Sequence, residues 1–200
     1  MQAPPLNQAT DGRSAAAPAV APSRTYLAEL LIRDFALVAE QRVTLTPGLN
    51  VVTGESGSGK SVLVEALQQI LGAPASEDCL RPPATSALLE GRLQVAPADA
   101  APLAALLSSL GVPARAFASS TAGRLTLRRE IVRVQDGVRS RCSLNGTPTS
   151  LRVLREVGRL LVDVNGQHAA LSLRDGATQV RCRHHCCCLF WAYSWWLDCC

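Results

Sequence analysis

Two hundred residues with a formal charge of +4 leave room for one domain with a substantial core and short tails. No apolar run reaches the length of a membrane span, so none is expected. The mild charge does not by itself demand a nucleic-acid partner. Six of the eight cysteines crowd into the last twenty residues, which is not the spread framework of a secreted disulfide protein.

Residues 1–25 are rich in Ala, Pro, Ser, Gln and Thr, and prolines at 4, 5, 18 and 22 forbid a long helix. The segment reads either as a plain extension or, being poor in acids, as an organellar transit peptide. The compartment is then a plastid or mitochondrion in the second case and the cytoplasm or nucleoid in the first. From Tyr26 to Phe35 the pattern is that of a strand, with Leu27, Leu30, Ile32 and Phe35 available for burial; Gln41–Thr46 reads as a second strand. Pro47-Gly48 is a turn, and Val51–Thr53 is expected to be a short buried strand leading into the next segment.

That segment is Gly54-Glu55-Ser56-Gly57-Ser58-Gly59-Lys60-Ser61, a complete phosphate-binding loop. Its glycines let the backbone wrap closely around an anion, so that successive N–H groups and a helix N-terminus point at a β-phosphate. Lys60 supplies a point charge to the β- and γ-phosphates, and the Ser61 hydroxyl is the expected Mg²⁺ ligand. Apolar residues at 62, 63, 66, 67, 70 and 71 predict the helix that must follow, over Ser61–Leu71.

Further on, Leu88–Val95 alternates as a strand, and Pro97–Leu110 reads as an Ala/Leu-rich helix ended by Gly111 and Pro113. Thr126–Gln135 and Val138–Leu144 face each other across Asp136-Gly137, a hairpin signal, and Asn145-Gly146 is a second such turn. A short helix over Ser150–Val157, stopped by Gly158, and a buried strand over Leu160–Val164 complete the body. The fold class is α/β, a mixed sheet with an antiparallel β-rich flank. Between Arg115 and Arg159 ten arginines face three acids, in a chain with nineteen arginines and one lysine. Solvated strand faces account for this first and a DNA-facing surface second, because Arg129 and Arg133 fall on the strand face of Leu127 and Ile131 while Arg128 falls on the other.

The last twenty residues hold all three tryptophans as well as the six cysteines. Adjacent cysteines at 186, 187 and 188 cannot all turn onto one tetrahedral ion, and no second Cys-x-x-Cys knuckle accompanies them. So abrupt a change in composition is what a translated intron or a shifted frame produces. Residues 180–200 are expected to be non-native and dispensable, with a domain over 26–179.

Three stretches together carry a family resemblance: IRDFALV, then TLTPGLNVVTGESGSGKSVLVEAL, then LRREIVRVQDGVRSRCSLNGTPTSLRVLREVGRLLVDVNGQH. They resemble the N-terminal ATPase half of RecN, a DNA double-strand-break repair protein related to the SMC ATPases. The resemblance implies a P-loop NTPase of ABC/SMC type, N-terminal half only, with ATP on Gly54–Ser61. It also implies that Gln167 is the glutamine that touches Mg²⁺ and the attacking water, with His168 positional. In that family a C-terminal half, beyond a coiled coil, supplies the signature motif and an acidic strand end. Neither is found here, and Ser108-Ser109-Leu110-Gly111 comes too early to be a signature motif. The chain therefore reads as truncated, and negligible ATPase activity is expected of it alone. The implied partners are that C-terminal half or a second protomer, and DNA in the full-length assembly. A small P-loop nucleotide kinase is the alternative, which the hairpin-rich middle does not suit; a regulatory truncated partner of a full-length repair ATPase is a third reading.

Overall fold

The computed structural model describes residues 22–55, 59–113, 123–165 and 188–190. Its main layer is a six-stranded, wholly antiparallel sheet in the order β2-β1-β3-β4-β5-β6. The strands are β1 (Tyr26–Phe35), β2 (Val38–Thr44), β3 (Ser86–Gln94), β4 (Arg124–Val134), β5 (Gly137–Leu144) and β6 (Thr147–Thr149). Among the described residues three α-helices accompany them: α1 (Lys60–Ile70), α2 (Pro97–Ser109) and α3 (Leu151–Leu161).

Period-two alternation decides which face is buried. Leu30 and Ile32 on β1, Ala87, Leu89 and Leu93 on β3, Leu125, Leu127 and Ile131 on β4, and Leu144 on β5 all turn inward. α1 lies on this face, over β1, β3 and β4. Gly91 of β3 lies beneath it, where a Cβ would stand 3.5 Å from Ile70 Cδ1, an ordinary contact. α3 packs against α2 and β5 through Val153, Leu154, Val157 and Leu161, spaced as one helix face. Ser150 caps it, its hydroxyl accepting from Val153 N at 3.4 Å.

Both hairpins form, the first with its turn one residue earlier than Asp136-Gly137. Val134 pairs with Gly137, so the tight loop is Gln135-Asp136 and Gly137, at φ 110°, opens the next strand. Asn145 and Gly146 have φ of 48° and 80°, the two positive values of a type I′ turn. Asn145 Oδ1 also accepts from Thr126 N at 2.7 Å, which closes the ladder at the start of β4. β6 reaches only Cys142–Leu144, so Gly137–Arg141 of β5 has a strand on one side only among the described residues.

Three expectations are corrected. Val51–Thr53 is not a strand: the segment is irregular, with Leu49, Val51 and Val52 exposed by 88%, 71% and 45%. A strand needs a neighbour to take its backbone groups, and no described residue pairs with this segment. Gly158 does not stop α3, which runs on to Leu161. Gly158 is instead a contact point, where a Cβ would come 3.0 Å from Leu71 Cδ2. The strand expected over Leu160–Val164 is correspondingly reduced to β7 (Asp163–Asn165). β7 pairs in parallel with β8 (Cys188–Phe190), so part of the Cys/Trp tail does meet a partner upstream. The rest of residues 166–200, Gln167 and His168 included, and residues 1–21 lie outside the described residues.

Candidate nucleotide-binding site

The phosphate loop leads directly into α1. Gly59 is the N-cap, at φ 89° and ψ 4°, a left-handed conformation in which a Cβ is strained. Gly59 has no side chain to cap this N-terminus, and no acid occupies the first turn. The amide end of the helix, with its partial positive charge, is therefore left to whatever the loop holds. Lys60, the first helical residue, folds back over the loop: Nζ donates to Gly54 O at 2.6 Å and to Glu55 O at 2.5 Å. This brings Gly54 and Glu55, at the start of the motif, to the first residue of α1. Ser56, Gly57 and Ser58 lie outside the described residues, as does Gln167.

The approach to the loop is fixed by Asn50. Its Oδ1 accepts from Thr46 N at 3.0 Å, and its Nδ2 donates to Thr46 O at 2.8 Å and Gly48 O at 3.3 Å. A side chain thus does locally what strand pairing would otherwise do.

The far end of α1 is anchored by residues that sequence reasoning read as surface charges. Arg129 is 1% exposed, on the face of β4 shared with Leu127 and Ile131. Burial lowers the pKa of its guanidinium, Cys142 and Cys79 oppose that shift, and Arg155 adds to it. Burial likewise pushes the Cys142 thiol up, against the opposing pull of Arg129. The signal was present: an arginine in phase with the apolar residues of an alternating strand points into the core.

On the opposite sheet face several arginines pair with glutamates. Arg33 pairs with Glu40, Arg42 and Arg92 with Glu29, Arg92 and Arg128 with Glu90, and Arg141 with Glu130. Several of these partners stand directly opposite across strands, such as Glu29 and Arg92, or Glu130 and Arg141. The arginine-rich stretch is therefore not one surface: Arg129 is a buried anchor, Arg128 and Arg141 belong to a solvated ladder, and Arg152, Arg155 and Arg159 lie on α3; Arg115 lies outside the described residues.

An AAA-domain family profile matches residues 29–86, the segment from β1 through the loop and α1. DNA repair protein RecN of Bacillus subtilis is 36% identical over 146 residues, covering 71% of this chain and 23% of that protein. RecN of Halalkalibacterium halodurans is 35% identical over 142 residues, with the same shares covered. The chain carries a RecN-type N-terminal ATPase region. Solved structures agree on the fold. The Smc head domain with an extended coiled coil from Pyrococcus furiosus aligns with a TM-score of 0.52 at 17% identity, over 74% of this chain and 38% of that one. The recombination mediator RecF with ATP aligns at 0.50 and 14% identity, over 80% and 36%. The RecN-type region is accordingly a P-loop NTPase fold of SMC type, and it spans about a quarter of the length of the RecN relatives. No helix of its described residues is long and apolar enough to cross a membrane.

Proposed function

We propose that this region binds Mg·ATP as the N-terminal half of a RecN-like ATPase acting in repair of DNA double-strand breaks. The observation that carries the reading is Lys60, at the N-terminus of α1 that Gly59 starts without a capping side chain, reaching back to the carbonyls of Gly54 and Glu55. These groups fit a nucleotide: the backbone of Gly54–Ser61 would cradle the phosphates, with Lys60 supplying charge. Ser61 and Gln167 would hold Mg²⁺, which when bound neutralises charge on the phosphates. The protein groups bind and orient. Attack on the γ-phosphate needs a positioned water and an acidic strand end, which the C-terminal half would supply. A nucleotide-kinase role is not favoured, since the relatives are repair proteins.

The apolar stretch Leu49, Val51 and Val52 is the place where that second half, from the same polypeptide or a second protomer, would add its strands. Mixing this chain with a separately produced C-terminal RecN half tests both points. The expected result is a stable complex with steady ATP hydrolysis that neither piece shows alone. Val51→Asp, at a position exposed in the isolated chain, should abolish complex and hydrolysis while leaving the chain's own melting unchanged. Activity that survives Val51→Asp would place the junction elsewhere.

DNA association by the chain alone should be weak and sequence-independent. With Arg92 and Arg128 engaged by glutamates, we expect a Kd of about 1–100 µM at physiological salt, the association constant falling linearly in log–log form as salt rises. Fluorescence anisotropy at two salt concentrations measures this; tight, salt-insensitive binding would contradict it.

A further inference from the structure

The C-terminal end of α1 is held by two arginines with no carboxylate partner among the described residues. Arg129 Nη1 donates to Gln69 O at 2.5 Å and to Ala73 O at 2.7 Å. Its Nε and Nη2 both donate to Ser140 Oγ, at 3.1 Å and 2.9 Å. From α3, Arg155 Nε and Nη2 donate to Gly72 O at 3.3 Å and 3.0 Å. Two guanidiniums thus face three carbonyls at the negative end of the helix whose positive end opens on the phosphate loop.

Burying a guanidinium without a carboxylate is costly, and an apolar side chain beside Leu127 and Ile131 would avoid that cost. What an apolar residue could not do is fix α1 along its own axis. Van der Waals contacts tolerate sliding; a planar fork bonded to Gln69, Ala73 and Ser140 together does not. α1 is a rod of about 16 Å, so a shift at this end appears undiminished at the loop.

We infer that Arg129, with Arg155 as its outer partner, is a positioning residue for the phosphate loop, setting where α1 stands against the sheet and hence where the loop meets the nucleotide. The inference rests on the reading of Gly54–Ser61 as the nucleotide site.

The test is titration of the full chain with a fluorescent N-methylanthraniloyl-ATP and Mg²⁺, well below every variant's unfolding midpoint. Arg129→Met and Arg155→Ala should each weaken binding by about 3- to 10-fold, since small misplacements of a site cost disproportionately. Arg155→Lys should restore affinity to within about twofold, because one acceptor can be served by an ammonium. Arg129→Lys should not, because its acceptors lie in different directions. A purely structural role would lower the midpoint yet leave the affinity of folded protein intact, and that result overturns the proposal. If Arg129→Met does not fold, Arg155→Ala and Arg155→Lys still decide, and parental affinity in Arg155→Ala overturns it. Lys60→Ala separates the two readings. If it binds as the parent does, the loop is not the site and both readings fall; if it alone loses binding, only the positioning role fails.

Discussion

Lys60→Ala should cost the chain about 10- to 100-fold in Mg·ATP affinity, the effect of removing one charge-assisted contact worth about 1.5–3 kcal/mol. The contacts of Lys60 with Gly54 and Glu55 are to main-chain carbonyls on an exposed surface, so little folding energy is at stake in them. The unfolding midpoint should therefore move by no more than about 0.5 kcal/mol in equivalent stability. Isothermal titration beside thermal denaturation distinguishes loss of the site from loss of the fold. Hydrolysis by the isolated chain should stay near background for parent and variant alike, because no apolar run in the sequence ends in Asp-Glu to orient water. Steady turnover that Lys60→Ala abolished would point back to the kinase-like alternative.

Gly72→Val should be among the most damaging single changes to the fold. Gly72 has φ of +91°, and a Cβ built on it would lie 2.9 Å from Arg155 Cβ and 3.1 Å from the Arg155 backbone. The backbone conformation costs a branched residue about 1–3 kcal/mol, and the clash with α3 adds about 1–3 kcal/mol. Together about 3 kcal/mol, or a melting point lower by about 10 °C, is expected. The same change would dislodge Gly72 O from Arg155. Differential scanning calorimetry measures the effect; a variant that melted with the parent would show that α1 and α3 are not locked at this point.

The parts of the structure legible in the sequence are those decided locally. Alternation placed β1, β3 and β4 within a few residues, and Asn145-Gly146 announced its turn because few other dipeptides accept two positive φ values. The loop motif was equally legible, since close approach to an anion restricts residue type at each position. What escaped depended on distant neighbours. Whether Val51–Thr53 becomes a strand is settled by the presence of a pairing partner, which its own residues do not encode. Gly158 looked like a helix stop because a glycine reads the same whether it ends a helix or lets Leu71 approach one. Arg129 was counted among surface charges although its phase with Leu127 and Ile131 already put it inside.

The bare flank of β5 carries a hazard of its own. Between Gly137 and Arg141 a row of main-chain donors and acceptors has β4 on one side and, among the described residues, no strand on the other. Such a row can template the addition of any extended peptide, including another copy of this one. Arg139 and Arg141 stand there exposed, and like charges brought into register along two adjoining copies would repel. Arg139 and Arg141, from which little grip on DNA is expected, would then serve the chain by keeping its sheets from joining edge to edge.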